Sequence, residues 1–159
     1  MGAHAPIFNN RSFNHNTGVI MSLYAQFKTD KNVEKTGIIL EYGFNSKKQP
    51  IQIRIARAGG ANEHYSKLLE AKIKPYRRQI QNETLDNAIA EKITKEVYAQ
   101  SVILGWENVE DEKGNPMEFN VDNCVKLLTD LPDLWSDIQA QSTRAALFRA
   151  DILEADAKN

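Results

Sequence analysis

The chain changes its hydrophobic rhythm several times, and each change marks an element. Asp30 opens a polar stretch that ends at Gly37, which predicts a short helix with an acidic N-cap and a glycine stop. Ile38–Tyr42 and Ile51–Ile55 are β-branched runs flanking a Gly, Asn, Ser and Pro connection. In the second, Ile51, Ile53 and Ile55 alternate with Gln52 and Arg54, the period of a half-buried strand, so the pair predicts a β-hairpin. Gly59-Gly60 ends it. Tyr65, Leu68, Leu69, Ile73, Tyr76 and Ile80 then recur at helical intervals, with a kink or break expected near Lys74 because Pro75 lacks a backbone donor and clashes with the preceding turn.

A second helical stripe runs through Leu85, Ala88, Ile89, Ile93 and Val97, read as a long helix capped by Thr84 and ending at Gly105. Lys113-Gly114-Asn115-Pro116 is a turn signal inside Trp106–Phe119, where a second small hairpin is expected. Asn120 reads as the N-cap of a helix through Val121, Cys124, Val125 and Leu128. A last helix starts around Asp130–Asp133 and continues through Leu134, Ile138, Ala145, Phe148, Ile152 and Ala155. The fold expected is mainly α with a small β-hairpin component, an α+β single compact helical domain over residues 21–159, without internal repeats.

Residues 1–20 carry one charge, four asparagines and no sustained periodicity, and read as a flexible leader. Two origins stay open for it: a genuine N-terminal arm, or sequence foreign to the domain ahead of a native start at Met21.

With 159 residues, 42% hydrophobic and 26% charged, the chain has the composition of one ordinary globular domain. Its net charge of −1 argues against the bulk basicity of a protein that lives on phosphate backbones. That total hides an asymmetry. Residues 21–82 hold twelve Lys or Arg against five Asp or Glu, a balance of +7, whereas residues 83–159 hold seven against sixteen, a balance of −9. Such segregation suits head-to-tail contacts between copies, which build rings or open filaments. The longest apolar runs are far shorter than the ~20 residues of a membrane span, so no membrane partner is expected. One cysteine excludes an intramolecular disulfide and fits a reducing cytoplasm.

Candidate chemistry is sparse. His4, His15 and His64 with Cys124 are too few and too scattered for a tetrahedral zinc site, and Cys124 falls on the buried stripe of its helix. Glu107, Glu110, Asp111 and Glu112 flank a turn without the spacing of a calcium loop. Gly59-Gly60 lacks the context of a phosphate cradle. No catalytic residue, cofactor site or metal site is assigned, and the chain reads as a non-enzyme.

Lys72, Lys74, Arg77 and Arg78 with Tyr76 form a basic stretch that Arg54 and Arg57 extend. A solvated helix face or an acidic protein partner, on the same chain or a neighbouring copy, is preferred there over nucleic acid. Trp106 and Trp135 are core anchors or, if exposed, contact points. Arg57, Tyr76, Arg77, Arg78, Trp106 and Trp135 are accordingly the candidate protein-binding residues.

Several pieces, in this order, resemble tail assembly chaperones of long-tailed bacteriophages: MSLYAQFKTDKNVEKTGIILEYG from Met21, then RIARAGGAN, KPYRRQIQNETLDN, VILGWENVEDEKGNPMEFN and LLTDLPDLWSDI. The resemblance runs from Met21 to the last residue. It implies a non-catalytic factor in the host bacterial cytoplasm that binds the tape measure protein, helps recruit major tail tube subunits, self-associates and leaves the finished particle. It also implies a longer product made by programmed frameshifting. Ala157-Lys158-Asn159 is compatible with a slippery codon run. Rival readings are a neck or tail protein retained in the virion and a small nucleic-acid-binding phage regulator.

Overall fold

The computed structural model describes residues 22–149. The expected leader, the start at Met21, the helical positions Ile152 and Ala155, and the Ala157–Asn159 end all lie outside the described residues. Helices α1 (Leu23–Phe27) and α2 (Lys31–Thr36) precede strands β1 (Ile38–Phe44) and β2 (Pro50–Ile55). Then come α3 (Glu63–Ile73), a 3-10 turn at Lys74–Tyr76, α4 (Arg77–Gln81) and α5 (Asn87–Ser101). Strand β3 (Ile103–Glu107), α6 (Val121–Asp130), α7 (Pro132–Ser142) and a 3-10 turn at Ala145–Phe148 complete the order. The architecture is the mainly helical α+β domain that the pattern predicts, with one three-stranded antiparallel sheet in the order β1-β2-β3.

Local chemistry accounts for the elements that match. The Asp30 carboxylate accepts from the N–H groups of Asn32 and Val33, and Gly37, at φ +88°, ends α2. A side chain at Gly37 would stand 2.7 Å from the Ile55 carbonyl oxygen, so the close approach of α2 to β2 needs glycine as well. The hairpin pairs Ile38 with Ile55 and Leu40 with Ile53, which turns these apolar residues to one face. Pro75 breaks the basic helix at Lys74–Tyr76, as its missing donor requires. Asn120 caps α6 through Asn123 N–H.

Three expectations fail and one holds only in part, each for a physical reason. The long helix begins at Asn87 under the cap of Asp86, not Thr84. Glu83 adopts φ +56°, and Thr84 turns back to donate from its backbone to Gln79 O. That helix ends at Ser101 rather than Gly105, because Ile103–Glu107 leaves it to pair with β2, matching Ile53 to Trp106 and Arg54 to Gly105. The second hairpin forms only in miniature: Trp106 belongs to the main sheet, while around the Lys113–Pro116 turn Glu110 bridges Pro116, Met117 N–H donates to Val109 O and Asp111 N–H donates to Asn115 O. In that turn the Asp111 carboxylate accepts from Lys113 and Asn115 N–H. The last helix stops at Ser142. The chain becomes extended at Arg144, and a 3-10 turn drives Phe148 into full burial while its carbonyl accepts from Asp30 N–H at 2.7 Å.

The core lies where one sheet face meets α5, α6 and α7. Ile53, Ile55 and Ile103 from the sheet pack with Tyr98, Ala99, Val102, Cys124, Leu128, Trp135 and Ile138. Tyr98 stands edge-on to Trp135 with ring centroids 4.8 Å apart, and Tyr65 lies edge-on to Tyr98 at 5.9 Å, the T-shaped geometry that aromatic quadrupoles favour.

Candidate functional site

Pro75 does more than interrupt a helix: it swings α4 away from α3 and leaves a groove between that arm and the first half of α5. Leu69, Ile73, Ile80, Leu85, Ala90 and Ile93 line this groove together with Glu83, Asn87 and Thr94, and it encloses about 430 Å³. Its apolar side chains come from two helical stripes whose spacing reads as core in the sequence. Among the described residues they line an open groove between α3 and α5, with Ile80 of α4 on one side. Ile80 is 42% exposed at its lip. Lys74, Arg77 and Arg78 are exposed on the same turn.

A smaller apolar hollow of about 270 Å³ opens between the β1–β2 hairpin and the α6–α7 corner, lined by Tyr42, Ile51, Ile53, Leu127, Leu131 and Leu134 among others. The hydroxyl of Tyr42, one of its lining residues, donates to the Asp137 carboxylate at 2.6 Å. Burial and this carboxylate both push the Tyr42 hydroxyl pKa upward, so it remains a donor at neutral pH. At the start of the described chain, α1 buries none of its residues. Leu23, Tyr24 and Phe27 are 66–82% exposed, and the Arg149 guanidinium stands 5.9 Å from the Phe27 ring.

The six sequence-predicted binding residues do not form one site. Tyr76, Arg77 and Arg78 fall together on the turn beside the groove. Arg77 reaches Glu70 at 3.2 Å, Tyr76 is half-buried, and Arg78 has no ion-pair partner among the described residues. Arg57 serves the fold instead: its guanidinium donates at 2.6 Å to Glu34, a residue only 2% exposed. Trp106 is half-buried in β3, donates from Nε1 to Met117 O and stacks edge-on against Phe119 at 5.0 Å. Trp135 is buried in the core and donates from Nε1 to the Glu91 carboxylate at 3.0 Å. The residues missed by sequence reasoning are the groove liners and the α1 triplet. Their only signal is apolar spacing, which does not distinguish a core stripe from an uncovered one.

Cys124 is fully buried, and burial pushes its thiol up to about 12, so it sits in the fold as a small apolar residue. Among the described residues, no group of three or more His, Cys, Asp and Glu is gathered to hold a metal, and no helix is long and apolar enough to cross a membrane. The surface on offer is therefore an apolar groove beside a basic turn, suited to receiving one face of a helix.

Searches of curated proteins and of solved structures return no match. A family model does match: residues 60–159 fit the family described as YdaY prophage protein, a stretch that begins ahead of α3 and takes in every later described element, with β1 and β2 lying before it. That stretch is more than half of the chain, and the chain belongs to the YdaY prophage protein family.

Proposed function

We propose that this prophage protein is a non-catalytic tail assembly chaperone that acts in the host bacterial cytoplasm. It holds an amphipathic helix of the tape measure protein and helps bring major tail tube subunits to it. The observation that carries this reading is the groove between the α3–α4 arm and α5, whose apolar floor is open at the surface. An amphipathic helix presents apolar residues at i, i+3, i+4 and i+7, and a groove of this composition buries them without demanding a catalytic group. The basic turn at Lys74–Arg78 favours a helix with carboxylates on its flank. A chaperone must also release its client, and a shallow groove with few polar anchors gives modest affinity per copy. The resemblance of the Met21-onward sequence to phage tail assembly chaperones supports the same reading, as does the prophage origin.

Co-expression with the tape measure protein encoded by the same prophage tests it. A complex that survives purification is expected, and Ile80→Asp, which puts a charge at the exposed lip, should abolish it while leaving the circular dichroism spectrum unchanged. Failure to form the complex, or a complex indifferent to that substitution, overturns the proposal. Abundant peptides of this chain in mature particles would favour a retained tail protein. Salt-sensitive retention on duplex DNA that depends on Lys74 and Arg78 would favour a nucleic-acid regulator.

A further inference from the structure

Charge segregation along the sequence predicts head-to-tail contacts, but the fold brings the two signs back to one pole. Helix α3 runs antiparallel to α5, since Asn62 ahead of α3 donates to Ser101 O at the end of α5, and Lys72 meets Glu96. The turn after α3 therefore lies toward the start of α5. Helix α7 runs parallel to α5: Trp135 in its first turn donates to Glu91, and Ser142 at its end bonds the Tyr98 hydroxyl. The α6–α7 corner consequently sits at the same end of α5 as the basic turn.

Exposed at this pole are Lys74, Arg77 and Arg78 on one side and Asp130, Leu131 and Asp133 on the other, with Leu131 47% exposed between its two carboxylates. Arg77 is shared with Glu70, and Asp130 with Lys126. Lys74, Arg78 and Asp133 have no ion-pair partner among the described residues. Two carboxylates also lie on the basic side: Glu83 is exposed, while Asp86 accepts from Ala88 N–H as the cap of α5.

We propose that this pole pairs with the same pole of a second copy in a closed two-fold contact. The basic turn of each copy faces the acidic corner of the other, and Leu131 of each packs near the exposed Ile80 of its mate. Two complementary patches on one face make a self-complementary surface, and a two-fold axis satisfies both at once. Patches on opposite faces would instead build open chains. The pairing shares the basic turn and Ile80 with the tape measure reading but does not require it. Asp133 lies outside the groove lining, so Asp133→Lys should weaken the dimer and leave a client complex intact. Because its charges are exposed, the pairing weakens as salt screens them.

Sedimentation velocity on the full chain tests it. The wild type is expected to form a salt-sensitive dimer that does not grow further with concentration. Arg78→Glu alone and Asp133→Lys alone should each weaken dimerisation by at least about tenfold, since like charges then face one another. Both substitutions fall on exposed residues without ion pairs among the described residues, so each variant should keep the wild-type circular dichroism spectrum. Mixed in equal amounts, the two variants should form a heterodimer, in which the reversed charges meet opposite signs. A wild type that stays monomeric at low salt, a species that lengthens without limit, or mixed variants that remain monomers would each overturn the proposal.

Discussion

Glu34 is the most deeply buried carboxylate among the described residues, and what happens on removing it follows from its surroundings. It accepts from Arg57 at 2.6 Å and from the Thr29 hydroxyl at 2.9 Å, so one side chain ties α2 to the loop after β2. Burial alone would raise its pKa. The hydrogen bonds from Arg57 and Thr29, the Arg57 charge and the Ala61 N–H together outweigh that, and the pKa lies below its ordinary 4.5. Replacing it in Glu34→Ala leaves the Arg57 guanidinium without its anion and the Thr29 hydroxyl without its acceptor. A fully buried pair broken this way costs ~3–5 kcal/mol. The Arg57 side chain is 23% exposed and regains some water, so the expected cost is about 2–3 kcal/mol. For a domain of this size that lowers the melting temperature by roughly 5–10 °C.

The sign of the pH dependence follows from the lowered pKa. The stabilisation from Glu34 is complete above its ordinary pKa of 4.5 and is lost as pH falls through the folded-state value. Urea unfolding of wild type, Glu34→Ala, Arg57→Ala and the double variant, followed by circular dichroism at pH 7 and again in acid, measures both effects. The Glu34→Ala deficit should shrink in acid, and the double variant should be less destabilised than the two singles combined. A Glu34→Ala cost below about 0.5 kcal/mol at pH 7, the range of ordinary surface substitutions, would refute the reasoning.

Two further outcomes follow from the same kind of reading. Gly60 has φ +53°, and a side-chain carbon there would stand 1.8 Å from Glu34 Oε2, so Gly60→Ala should destabilise by about 1–3 kcal/mol in thermal melts. Cys124 should resist thiol reagents at pH 8 in the folded protein and react readily in denaturant, because burial holds its thiol pKa up to about 12; fast labelling of the native protein would contradict that.

Elements governed by local chemistry were legible in the sequence. The Asp30 and Asn120 caps, the Pro75 break and the isoleucine alternation of β2 each depend on residues a few positions apart, and each stands in the structure where the pattern predicts. Strand β3 was not legible, because Val97, Ser101 and Leu104 keep a helical interval while the partners that draw the chain into a sheet lie some fifty residues earlier. The end of α7 was hidden for a similar reason: nothing near Ser142 stops a helix, and what ends it is the burial of Phe148 beside α2. The candidate site was half legible. Its basic turn shows as a charge run, but whether Ile73 and Ile80 face a neighbour or an open groove depends on how far α4 swings out.

The hydrogen bond from Asp30 N–H to Phe148 O joins the two ends of the described domain. Closing so long a loop has an entropic cost that only tertiary burial offsets, here that of Phe148 and of the Glu34–Arg57 pair, so this clasp belongs among the last contacts to form in folding. Hydrogen exchange should reveal it as one weakly protected unit holding α2 and the final 3-10 turn, with α5 and β2 exchanging more slowly. The closeness of Asp30 and Phe148 makes the domain a candidate for circular permutation about this clasp, with new termini in the exposed Lys113–Pro116 turn.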